Sequence, residues 1–200
     1  MKPEEILAEA LAVLRKGGVI LYPTDTVWGI GCDATNPEAV ARVYEIKRRA
    51  DSKSLVLLAS DLDMVAKYVQ EIPSIAIDLV EVNDAPMTLI YPEAVHGVEG
   101  EAGDRWHLAW NAVAEDGSVG IRIPLMEWCR QLVFKLGRPV VSTSANFSGE
   151  PTPQRFSEID PALKAAMDFV VPPSVDTQST GKASQILKVG LRGEIEIIRK

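Results

Sequence analysis

The sequence predicts a single α/β domain, residues 1–200, built on a twisted mixed sheet with flanking helices. Helical and strand periodicities alternate along the whole chain. With 46% hydrophobic and 24% charged residues, the composition suits a globular chain with a sizeable core. The last two strand signals flank the turn Gly190 to Gly193, as in an antiparallel hairpin.

The first helix covers the opening segment to Lys16. Ile6, Leu7, Ala10, Leu11 and Leu14 recur at helical spacing, acids come early and cations late, and Gly17-Gly18 stops it. Val19 to Tyr22 reads as a short buried strand ended by Pro23. Asn36 as N-cap and Pro37 at the first helical position open a second helix with an apolar face of Val40, Val43, Tyr44 and Ile46. Ser54 to Leu58 is the next strand, and Ser60 with Asp63 makes a capping-box pattern ahead of a third helix. A fourth helical stretch, Ile75 to Val82, precedes the strand Met87 to Ile90. Residues 92–117 lack periodicity and read as a long loop with one helical turn, a candidate lid. Strand Val119 to Ile123, a helix from Leu125 to Leu136 and strand Pro139 to Thr143 follow, then a Gly/Pro-rich loop to Pro153. A short helix after Asp160-Pro161 leads to strand Phe169 to Val171 and a flexible segment, 172–182, the second candidate lid. Ser184 to Val189 and Glu194 to Ile198 are the hairpin strands.

The formal charge of −7 excludes a globally basic nucleic-acid binder, though not a local basic groove. Cys32 and Cys129 are far apart and only His96 and His107 join them, so a structural zinc site is disfavoured against two free thiols in a reducing compartment. The first residues lack the charge order of a signal peptide, and no apolar run approaches the ~20 residues of a membrane span. The expected location is the cytoplasm, away from membranes. The chain has no P-loop, GxSxG elbow or HExxH pair, and Gly29-Ile30-Gly31 lacks the third glycine of a dinucleotide fingerprint.

Polar clusters at strand ends remain. Thr24-Asp25-Thr26 and the glycines after it form either a tight turn, with Asp25 bonding its own backbone, or a place where a ligand nears the main chain. Lys47 to Lys53 holds four cations against one acid, either a solvated helix end or, with Lys47 and Arg49 converging beyond the helix, a polyphosphate contact. Ser142, Ser144 and Asn146 share a face at period two, as a capping loop or a ligand site at the carboxyl end of a strand. Arg122 lies inside an apolar strand and needs a partner or an anionic ligand. Trp106 and Trp110 read as local packing rather than a base-stacking platform.

In order, YPTDTVWGIG, YEIKRRADSKSLVLL, PMTLI, VGIRIP, PVVSTSANFSGEPTP, KASQIL and IIRK resemble the YrdC-like family, from about Gly17 to Arg199. The family's KxR motif stands as Lys47-Arg48-Arg49 and its SxN motif as Ser144-Ala145-Asn146. Asn83-Asp84-Ala85-Pro86 departs from the usual Trp-Pro-Gly-Pro, and Lys182 to Ile186 departs from the usual Pro-Ser-Thr-Ile.

The resemblance implies a concave, positively charged cavity and a short, single-domain nucleotidyltransferase. Its expected reaction joins L-threonine, bicarbonate and ATP into threonylcarbamoyl-AMP and pyrophosphate. It implies Lys47, Arg49, Ser144 and Asn146 as catalytic residues, and Thr26, Arg122 and Ser184 as the threonine site. Arg49, Lys53, Ser118, Ser142, Ser144, Thr152 and Arg199 are the implied nucleotide contacts. ATP is the substrate, Mg2+ travels with it, and no protein metal site is expected. A tRNA threonylcarbamoyl-transferase complex is the expected downstream partner, with a weak direct tRNA contact. The rival reading is a tRNA- or double-stranded-RNA-binding module without catalysis. A carbamoyl-transferring domain of hydrogenase-maturation type would carry zinc-finger or acylphosphatase-like segments absent from this sequence.

Overall fold

The structure, a computed structural model, describes residues 2–48 and 55–200. Its helices are α1 (Pro3–Arg15), α2 (Pro37–Lys47), α3 (Leu62–Tyr68), α4 (Ser74–Val82), α5 (Glu127–Leu136) and α6 (Pro161–Ala165). The strands are β1 (Ile20–Tyr22), β2 (Gly29–Gly31), β3 (Val56–Leu58), β4 (Met87–Tyr91), β5 (Val119–Arg122), β6 (Val140–Ser144), β7 (Phe169–Val170), β8 (Gln185–Val189) and β9 (Ile195–Arg199). They form one sheet in the order β7-β1-β2-β6-β3-β5-β4-β8-β9. Pairs β1–β7, β3–β5 and β4–β8 are parallel and the other neighbours antiparallel, so the sheet is mixed as expected.

The periodic residues behave as their spacing dictates. Ile6, Leu7, Ala10, Leu11 and Leu14 of α1 are all buried, where the helix packs on α5, β1 and β7. Each such side chain removed from water is worth roughly 1.5–3 kcal/mol. Asn36 caps α2 by accepting from the amides of Glu38 and Ala39. Arg48 ends that helix in the left-handed region at φ 52°.

Four local expectations need correction. The cap of α3 is Asp61, whose Oδ1 accepts the Met64 amide at 2.8 Å, while Ser60 donates to its other oxygen. A carboxylate answers the positive helix start better than a hydroxyl does. Gly29–Gly31 is a strand between β1 and β6, too short and glycine-rich to show a period. A Cβ at Gly31 would lie 2.5 Å from the Val141 carbonyl oxygen and 2.6 Å from the Tyr22 ring, so glycine is what lets three layers of backbone and ring close up. Segment 172–182 is tied down: Thr180 and Gly181 donate their amides to the carbonyls of Asp25 and Thr26. Trp106 is 64% exposed, with the Arg105 guanidinium 4.5 Å over its ring, and does not pack into the core. Segment 92–117 carries one 3-10 turn, Trp110–Ala112, and a bridge between His96 and Leu108.

Candidate active-site cleft

The pairing register builds the site. Antiparallel β6 sets Ser142 opposite Val56 and Ser144 opposite Gly29, and period two turns both serines to one face. Parallel β5 sets Gly120 beside Val56, with Arg122 two residues on along the same face. A cleft of about 220 Å³ opens there. Seven of the residues expected from the sequence line it: Thr26, Arg122, Ser142, Ser144, Thr152, Ser184 and Arg199. Sequence reasoning missed Val27, Val56 and Ala183, which form apolar wall. For Val56 only the register reveals it, since nothing local marks a valine opposite a serine on the neighbouring strand.

Arg122 is 3% exposed and forms an ion pair with Asp25, itself buried. Its Nη2 donates to Thr26 Oγ1 at 3.2 Å and more weakly to Thr24 Oγ1 at 3.4 Å. Asp25 Oδ2 accepts the Leu125 amide at 3.0 Å. The carboxylate therefore fixes Arg122 and starts the turn into α5, rather than bonding its own local turn. Helix α5 begins at Glu127, two residues after the expected Leu125. Thr24 and Thr26 share a hydroxyl bond of 2.8 Å, so the β1–β2 turn and β5 form one polar network.

At the opposite wall, Ser184 Oγ lies 2.8 Å from Thr88 Oγ1, and Arg199 Nε donates to the Ser184 carbonyl at 2.8 Å. Partial burial, then the neighbouring Arg122 cation, lowers the Arg199 pKa from the usual arginine value. Ser184 thus lines the cleft despite the altered sequence around it. Arg122 and Arg199 are the charged side chains of the described lining, which includes no carboxylate.

The remaining expected residues take other places. Lys47 is buried, and its Nζ donates to the carbonyls of Ser144 at 2.5 Å and Asn146 at 2.7 Å. It stands on the last turn of α2 and holds the segment after β6, instead of facing the cleft from extended chain. Ser148 returns an amide to the Lys47 carbonyl at 2.9 Å, and Arg48 lies 4.3 Å over the Phe147 ring. The Asn146 side-chain amide donates to the carbonyls of Phe147 and Glu150, outside the cleft lining, and its Oδ1 is buried with no bond partner among the described residues. Ser118 shares the face of Gly120 and Arg122, but its hydroxyl donates to Asp116 at 2.5 Å. Arg49 and Lys53 lie outside the described residues.

The family model for Sua5, YciO and YrdC proteins, described as "Telomere recombination", matches residues 12–200. The chain belongs to the Sua5/YciO/YrdC family. Curated Sua5/YciO/YrdC relatives include the threonylcarbamoyl-AMP synthase of Xanthomonas euvesicatoria, 36% identical over 168 residues, which are 82% of this chain and 84% of that protein. The synthase of Xanthomonas oryzae is 35% identical over the same shares. Among solved structures, E. coli YciO superposes with a TM-score of 0.76 at 23% identity, covering 100% of this chain and 90% of that one. P. abyssi Sua5 complexed with L-threonine gives 0.76 at 24% identity, covering 94% of this chain and 52% of that one. The chain thus spans about half of that Sua5 protein, and at these identities the likeness is one of fold.

Proposed function

We propose that the protein condenses L-threonine, bicarbonate and ATP into threonylcarbamoyl-AMP and pyrophosphate. The observation that carries this reading is convergence: seven motif residues scattered from Thr26 to Arg199 meet around one cleft. The curated relatives over 82% of the chain carry the name of that activity.

In this reading Thr26, Arg122 and Ser184 hold the amino acid, with Val27, Val56 and Ala183 as apolar wall. Ser142, Ser144, Thr152 and Arg199 face the nucleotide. A volume of about 220 Å³ falls below the roughly 300–1,000 Å³ of drug-sized pockets, so it fits the amino-acid half and the nucleotide extends beyond it. The threonine amine adds to carbon dioxide from bicarbonate, losing a proton and forming a carbamate. A carbamate oxygen attacks the α-phosphorus, its bond to the bridging oxygen breaks, and pyrophosphate leaves. No protein nucleophile is required; the cleft supplies cations and donors for the charge that develops. Arg49, Lys53 and Arg199 carry that task, and Lys47 acts by fixing the Ser144–Asn146 segment. Arg199 lends the cleft its positive charge, since Asp25 answers the charge of Arg122 and no carboxylate is in the described lining. For the same reason the magnesium ion belongs to the phosphates of ATP.

The product is a mixed anhydride that water destroys, so it is consumed soon after release by a tRNA threonylcarbamoyl-transferase complex in the cytoplasm. The net charge of −7 keeps any direct tRNA contact weak. Among the described residues no helix is long and apolar enough to cross a membrane. Pyrophosphate release by the purified protein tests the reading. Release that needs both L-threonine and bicarbonate supports it; release indifferent to either, or none, overturns it.

A further inference from the structure

We propose that Trp28 and Asp176 are positioning residues that set the amino-acid end of the cleft by latching segment 176–184 across it. This rests on the synthase reading for its kinetic consequence, and on geometry for the latch. The Trp28 indole N–H donates to Asp176 Oδ2 at 2.8 Å, and Asp176 Oδ1 accepts the Ser179 amide at 3.1 Å. From there the segment zips onto three successive carbonyls of the β1–β2 turn. Ser179 Oγ donates to Thr24 at 2.6 Å, the Thr180 amide to Asp25 at 3.2 Å, and the Gly181 amide to Thr26 at 2.8 Å. Gly181 takes the left-handed φ of +72° there, which glycine tolerates best. Two residues later Ala183 and Ser184 enter the cleft wall with Thr26.

The two ends of the latch differ in kind. Trp28 is fully buried, its ring 4.7 Å from that of Phe156, so the indole N–H is a fixed donor in the core. Residues Thr177, Gln178, Thr180 and Lys182 are exposed, so hydrogen bonds rather than apolar burial set where the strap lies. A carboxylate suits position 176 because it has an oxygen for the indole and another for the turn of the strap itself, both charge-assisted. Held down, the strap keeps Ser184 facing Thr26 and shields that end from water. Released, it widens the end that takes threonine and leaves Ser142 and Ser144 of the nucleotide end in place on β6.

The test compares wild type with Trp28→Phe, Asp176→Ala and Asp176→Asn in two measurements. Amide hydrogen exchange reads the latch without any substrate. Trp28→Phe and Asp176→Ala should speed Gly181 exchange roughly tenfold, the scale of one charge-assisted bond, and leave the core amide of Val141 unchanged. Steady-state kinetics should show KM for L-threonine raised by roughly the same factor, with KM for ATP within twofold. Asp176→Asn keeps one acceptor oxygen and should fall between. Asp176→Ala sits on the exposed strap and guards against a folding defect in Trp28→Phe. Unchanged Gly181 exchange in both variants overturns the latch. Faster exchange with an unchanged threonine KM, or with both KM values rising together, overturns the positioning role. A wild type with no synthase activity sinks the catalytic reading and leaves the exchange result standing alone.

Discussion

Arg122 is buried within an apolar strand, so its charge must be answered inside the protein, and Asp25 answers it. Removing one partner of such a pair leaves the other charged and dry. Arg122→Ala should therefore destabilise the fold by roughly 3–5 kcal/mol in urea unfolding, and Arg122→Ala with Asp25→Asn should recover part of that loss. The sequence showed that Arg122 needed a partner; it could not show which, because Asp25 lies in a separate motif 97 residues away. A second residue-scale prediction concerns Asp116. The Ser118 hydroxyl and amide, helped by Lys188, lower its pKa to about 2. A carboxyl depressed in the folded state contributes stability above its unfolded pKa of roughly 4 and loses it as pH falls towards 2. The group is half exposed, so the contribution is small. Asp116→Asn should lower neutral stability slightly, flatten the stability curve between about pH 4 and pH 2, and meet the wild type near pH 2. A nucleotide that recruits the Ser118 hydroxyl must compete with Asp116 for it, a contest invisible in sequence.

Elements carry the site more than loops do. Strand β2 was illegible because its glycines hide the period, yet it separates β1 from β6 and fixes the distance between the Thr26 turn and Ser144. Gly31→Ala puts a methyl 2.5 Å from the Val141 carbonyl and should cost about 1–3 kcal/mol or more by thermal unfolding. Gly120→Ala meets nothing closer than 3.5 Å and should stay within about 1 kcal/mol. The clamp between α2 and β6 makes a third case. Lys47→Met keeps most of the stem but loses donors to two carbonyls, and should lower stability by roughly 1.5–3 kcal/mol together with kcat. Helix α2 itself was legible to the residue at its cap, because Asn36-Pro37 is a local signal. What Lys47 does at its other end depends on a strand about a hundred residues on.

The molecule as a whole is one mixed sheet whose central strands, β6, β3 and β5, present the cleft, while β9 forms an exposed edge. Alternating periods and the closing hairpin made that class legible, and the ordered motifs made the family legible. The path of segment 172–182 was not, since its order comes from hydrogen bonds to a turn some 150 residues earlier. With a net charge of −7, tRNA affinity should be weak, readable by fluorescence anisotropy; tight binding that falls steeply with salt would favour an RNA-binding module. The central claim is that one cleft joins three substrates. Incubating the protein with isotopically labelled bicarbonate, L-threonine and MgATP, then separating the products at once, tests it most directly. The bicarbonate carbon should appear in a single species that contains both adenylate and threonine, and be lost when threonine is omitted. Pyrophosphate release with no bicarbonate carbon in any adenylate would contradict it.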